Sequence, residues 1–203
     1  MGTKVEAVAH PLTATASVSS NSVARFGFLL LLASESMLFA GLLAALAVFR
    51  TRADRWPPLG LPRLGVATTG ANSLLLFASA LPMSWALGAV RRDDTASLAR
   101  WLSTATALGC AFLLVQGTEW LRLVGSGLKA SSGPYGATFF TLIGCHALHV
   151  FGAVAWLVVL RLGVSRGRFD ARHALPVELG AIYWNFVCLV WAVIFPVVYL
   201  GLQ

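Results

Sequence analysis

One acid sits where acids are costly. Glu35 lies within Leu29-Leu30-Leu31-Leu32-Ala33-Ser34-Glu35-Ser36-Met37-Leu38-Phe39, close to the middle of a long apolar run. An ionised carboxylate at the centre of a hydrocarbon layer costs a few kcal/mol, so such a group must be protonated or partnered. Glu119 and Glu178 also fall in apolar stretches, but near their ends, where interfacial water or headgroups can solvate them. No Lys or Arg is placed to neutralise Glu35. Its partners must then be neutral donors, a histidine, water, or groups on another subunit.

His146 and His149 stand three residues apart and share a helix face. With Glu35 or Glu119 they would form part of a carboxylate–histidine metal site of the kind built inside helical bundles. The chain has only four histidines, however, and the other two, His10 and His173, lie in a polar tail and a loop. Hydrogen-bonded packing histidines are the simpler reading, and no metal site is expected. Haem held between helices needs histidines on different helices, so no redox centre is expected in this chain. Near the end, Tyr183-Trp184-Asn185-Phe186-Val187-Cys188-Leu189-Val190-Trp191 puts Trp184, Cys188 and Trp191 on one face, with Asn185 beside Cys188. That stretch reads as an aromatic packing surface, in which a buried Asn185 needs a partner. Cys110, Cys145 and Cys188 have unrelated spacings and suggest neither a disulfide framework nor a zinc site.

The elements that must position these groups follow from composition. Hydrophobic residues make up 58% of the chain, charged residues 11%, and the mean hydropathy is +0.78. A soluble domain carries roughly a quarter charged residues, so too few remain here to coat a water-facing surface. Five apolar runs, about 26–49, 65–90, 101–124, 137–162 and 177–202, each reach the roughly 20 residues that cross a bilayer as a helix. The expected fold is an all-α membrane bundle of five transmembrane helices, residues 25–203, behind a polar, mobile tail, residues 1–24, that lacks the features of a signal peptide. Pro82 and Pro196 are expected to kink their spans, and Pro176 suits a first turn. Gly27, Ser34, Gly41 and Ala45 favour close approach by a neighbouring helix.

The net charge of +7 gathers at the ends of the runs, which points to membrane edges and away from nucleic acid. Basic residues number nine on the side of the N-terminus and six on the other. That bias favours a cytoplasmic N-terminus and an outer C-terminus.

Taken in order, the motifs resemble subunit III of haem–copper terminal oxidases. They are Ser34-Glu35 with Phe39-Ala40-Gly41-Leu42, Trp56-Pro57-Pro58, Asn72-Ser73-Leu74-Leu75-Leu76 and Gln116-Gly117-Thr118-Glu119-Trp120. Tyr135-Gly136, Phe139-Phe140, Gly144, His146-Ala147-Leu148-His149-Val150 and the aromatic stretch complete the series, across about residues 25–203. Such proteins have seven helices or, in some bacterial forms, five, and this chain is similar to the five-helix form. The resemblance implies a non-catalytic subunit of a complex that reduces oxygen to water and pumps protons in a bacterial inner membrane. It implies direct contact with subunit I, with subunit II and small subunits nearby, and possible supercomplex membership. Haem and copper would sit in the partner subunits, and phospholipids would be bound structurally.

Glu35 matches the family's carbodiimide-reactive carboxyl and is the implied proton-related, modulatory residue. Asn72, Glu119, His146 and His149 are implied polar members of the bundle. The family's Trp-His-Phe-Val-Asp is replaced at two positions, by Asn185 and Cys188. If the His and Asp pair in relatives, their joint loss avoids an unpaired charge. Other classes would be an accessory subunit of a quinol oxidase or nitric oxide reductase, or a stand-alone proton-coupled transporter. The transporter class would lead one to expect an internal repeat and a broken helix, and neither is visible.

Overall fold

The structure, a computed structural model, describes residues 12–62 and 64–200, with side chains from residue 21 onward. Residues 1–11, which hold His10 and half of the expected tail, lie outside the described residues. Among those described there is no strand. The helices are α1 (Leu12–Arg52), α2 (Val66–Ala78), α3 (Ala80–Arg91), α4 (Thr95–Gly125), α5 (Pro134–Ser165) and α6 (Leu175–Phe195), the last continued by a π turn, Pro196–Leu200. They make five segments long and apolar enough to cross a membrane: Asn21–Arg52, Val66–Arg91, Thr95–Gly125, Pro134–Ser165 and Leu175–Leu200.

Every segment but the second begins earlier than its apolar run. Helix ends carry polar and basic residues whose stems cover apolar surface while their heads reach water. The helix α1 begins at Leu12, so part of the expected tail is helical. Arg122 and Arg161 lie near the C-terminal ends of the helices α4 and α5, where basic residues are expected at the edges of the spans.

The two internal prolines act as expected, each with its own geometry. The second span breaks at Ser79, between α2 and α3, three residues before Pro82. Proline has no N–H to donate and crowds the preceding turn, and the backbone yields there. At Pro196 the α-helix gives way to the wider π turn. Pro176 sits in the first turn of α6.

Buried positions recur every three or four residues. On α4 they are Leu98, Leu102, Ala105, Gly109, Phe112, Gln116, Glu119 and Leu123, an alternation that gives one inward seam. On α1, among the residues whose side chains are described, only Leu32, Phe39 and Leu46 are fully buried, at intervals of seven. The helix therefore lies on the rest of the bundle along one narrow line, touching α5 and α6. Glu35 falls on that line. The small residues Gly27, Ser34 and Gly41 fall beside it and face away from this chain. A Cβ added at Gly27 or Gly41 would meet nothing within 4 Å, so the expected close approach is not made within the chain.

Close approach happens instead at Gly109 on α4. A Cβ there would lie 2.4 Å from the Trp184 ring and 2.9 Å from Val154. Trp184 cannot retreat easily, because its indole N–H donates to Ser79 Oγ at 2.9 Å. Gly109→Ala should destabilise the chain by about 1–3 kcal/mol through overpacking. Gly41→Ala should leave the thermal unfolding midpoint in detergent unchanged, and equal midpoints for the two variants would contradict this packing.

Candidate functional site

The antiparallel pair α1 and α5 builds the site. Phe28 meets Trp156 at 5.8 Å between ring centroids, and Phe39 meets His149 at 5.0 Å. Glu35, seven residues beyond Phe28, is then level with His149, seven residues before Trp156. Its Oε2 lies 3.0 Å from His149 Nε2. The two side chains are only 26% and 13% exposed. Of the partners open to Glu35, the histidine is the one the fold supplies.

The other ring nitrogen fixes the chemistry. His149 Nδ1 is 2.7 Å from the carbonyl oxygen of Cys145, which can only accept, so Nδ1 carries a hydrogen. Between Nε2 and Oε2 there is room for one proton. It resides on the carboxyl beside a neutral imidazole, or on the imidazole beside a carboxylate. The pair is electrically neutral either way. Sharing a proton avoids the net charge that makes lone acids costly inside a membrane. The Cys145 thiol lies 3.8 Å from the same Nδ1, but that nitrogen already donates and cannot act as its base.

His146 takes no part in this pair. It occupies the inward seam of α5, which runs Phe139, Ile143, His146, Val150, Ala153 and Leu157. Its ring stacks on Trp191 at 4.8 Å and 21°, while His149, three residues on, turns toward α1. Sharing a broad face does not bring the two rings to one point. Among the described residues no group of three His, Cys, Asp or Glu could hold a metal ion.

The two other acids of the apolar stretches are paired as well. Glu119 is buried, and its Oε2 accepts from Arg122 Nε and Nη at 3.0 and 2.9 Å. The expectation that interfacial water would solvate it is replaced by an ion pair one turn along its own helix. Glu178 accepts from Arg25 and, at 3.3 Å, from Arg91. It ties the start of the first span and the end of α3 to the start of α6.

Asn72 is buried and donates to the Phe112 carbonyl at 3.0 Å, joining α2 to α4. Trp184, Cys188 and Trp191 do share one buried face, as the spacing suggests. Trp191 donates to Ser73 Oγ at 2.8 Å, and Cys188 lies 3.6 Å from the Leu76 carbonyl. Asn185 departs from expectation. It is exposed on the outside of α6 and bonds only the Ala181 carbonyl of its own helix. Asn185 and Cys188 therefore point to different surroundings, which gives no support to a direct pair between these two positions. Sequence reasoning missed Ser79, whose hydroxyl sits at the break in the second span and receives Trp184. The only hint was Pro82 three residues later.

These features define a multi-pass helical membrane protein in which Glu35, Glu119 and Glu178 are each paired within the bundle. The sequence matches the family described as cytochrome c oxidase subunit III over residues 9–201. Cytochrome c oxidase subunit 3 of Synechocystis sp. is 35% identical over 176 residues, 86% of this chain and 74% of that protein. The probable cytochrome c oxidase subunit 3 of Mycobacterium leprae is 30% identical over 200 residues, 98% and 95% of the two chains. Cytochrome c oxidase subunit 3 of Sus scrofa is 31% identical over 181 residues, 86% and 68% of the two chains. The chain belongs to the cytochrome c oxidase subunit III family, and so to a complex with other oxidase subunits. The quinol oxidase, nitric oxide reductase and transporter alternatives are not favoured.

His149→Leu should destabilise the chain by about 1–3 kcal/mol, because it leaves the Glu35 carboxyl without its partner. Cys145→Ala should change the thermal midpoint in detergent far less, since the thiol holds nothing in place. Equal losses would contradict the bonding assigned to His149.

Proposed function

We propose that this chain supports proton uptake and turnover lifetime in a haem–copper terminal oxidase without carrying out redox chemistry itself. It packs directly on subunit I, with subunit II and small subunits in the same complex, and haem and copper reside in those partners. The host membrane is the bacterial inner membrane, with the N-terminus cytoplasmic, in keeping with the nine basic residues on that side. Phospholipids fill the faces of α1 that the bundle leaves open, where Phe26, Leu30, Met37 and Val48 are exposed.

The observation that carries this reading is the Glu35–His149 bond. A mid-membrane acid that only needed to be silent would be served by any neutral donor. Here it faces an imidazole nitrogen that can either accept its proton or leave it on the carboxyl. A proton can move between the two groups without changing the charge of the site. The pair thus acts as a modulatory proton group beside subunit I, with Glu35 as its acid. Glu119, Asn72 and His146 serve the bundle that holds it.

In the purified complex, Glu35→Ala should leave the subunits assembled and the haem spectrum intact. The number of turnovers before inactivation should fall severalfold, or the proton yield per electron should drop. An unchanged lifetime together with an unchanged proton yield would overturn the proposal.

A further inference from the structure

Besides the indole nitrogens of Trp56 and Trp120, three side chains among the described residues carry buried polar atoms with no hydrogen-bond partner: His146 at both ring nitrogens, Asn72 at Oδ1 and Gln116 at Oε1. Each of these three is at most 4% exposed. They come from α5, α2 and α4, and they share neighbours. The Phe112 ring lies 6.4 Å from that of His146, and its carbonyl receives the Asn72 amide. Trp191 stacks on His146 and donates to Ser73, next in sequence to Asn72. Gln116 follows Phe112 by one turn, and its amide donates to the Tyr199 hydroxyl at 3.3 Å. Tyr199 lies 6.3 Å from Trp191, between ring centroids.

The orientation of the Asn72 amide is fixed by chemistry. The Phe112 carbonyl can only accept, so the amino group must face it and Oδ1 must face away. Gln116 is constrained more weakly. Whichever way its amide turns, one terminal atom meets Tyr199 and the other is left over. A neutral imidazole brings one N–H donor and one lone pair to the same region. Leaving a buried donor or acceptor unmade costs about 1–3 kcal/mol, so three such side chains around one pair of rings would be a heavy combined penalty. A water molecule offers two hydrogens and two lone pairs. It can donate to both amide oxygens and accept from the imidazole N–H at once. A second water would satisfy the remaining ring nitrogen. Buried waters typically make about three such bonds.

We infer that His146, Asn72 and Gln116 enclose a sealed hydration site of one or two ordered water molecules at the junction of α2, α4 and α5. The site is separate from the Glu35–His149 pair, which lies on the α1 side of α5. It accounts for a histidine on a core seam that otherwise carries apolar residues, as a device that joins three helices through water.

A cryo-electron-microscopy map of the intact oxidase complex, at a resolution that shows ordered water, tests the inference. Density is expected within about 3.2 Å of a His146 ring nitrogen and of Asn72 Oδ1, the outer limit of an ordinary hydrogen bond. A map without density there, or with His146 bonded directly to Asn72 or Gln116, overturns it. In the same complex His146→Leu should remove that density while the Asn72 bond to the Phe112 carbonyl stays. Unchanged density in that variant would also overturn it, and if the variant does not assemble, the native map alone decides.

Discussion

A carboxyl group in the middle of an apolar span must be neutral, paired or hydrated, and that requirement determines how α1 sits on its neighbours. The helix buries little of its own surface, so apolar packing along one narrow seam gives it few ways to choose a rotation. Glu35 lies on that seam and meets His149 at 3.0 Å. Turning α1 by a single residue would carry the carboxyl toward lipid and leave the imidazole facing hydrocarbon. This hydrogen bond fixes the rotation and register of α1 against α5 together with the ring contacts of Phe28 and Phe39.

The rest of the bundle uses neutral polar pairs to the same end. Trp184 and Trp191, one heptad apart on α6, donate to Ser79 and Ser73 on the second span. In lipid there is little apolar driving force between helices, so close contact and interhelical hydrogen bonds carry more of the specificity. Gly109 lets α4 come against the Trp184 ring, and Asn72 ties α2 to α4. These contacts build the core on α2, α3, α4 and α6. Against that core, the helix that carries the mid-membrane Glu35 is held by a single apolar seam, the Glu35–His149 pair and the Arg25–Glu178 ion pair at its edge.

Much of this was legible in the sequence, and the parts that were not share a physical reason. Five spans follow from composition, because apolar runs of that length have no other stable home. Glu35 stood out by its cost, and a histidine was among its possible partners. Which histidine could not be read, since His146 and His149 are three residues apart and nearly every residue around them is apolar. With both helix faces apolar, the inward seam is invisible to periodicity. Asn185 was misplaced for the same reason, being assigned to the interior while it faces outward. The Glu119–Arg122 ion pair was not legible because the burial of Glu119, and with it the need for a charged partner, comes from how α4 packs in the bundle. The ordered motifs carried the family, which the comparison with known proteins bears out. Pairwise geometry needed the fold.

The central claim is that Glu35 and His149 act as one unit. The most direct measurement is the turnover lifetime of the purified oxidase complex carrying Glu35→Ala, His149→Ala and both substitutions together. A shared-proton pair predicts that the double variant inactivates no faster than the worse of the two single variants. Losses that simply multiply, as independent sites require, would contradict it.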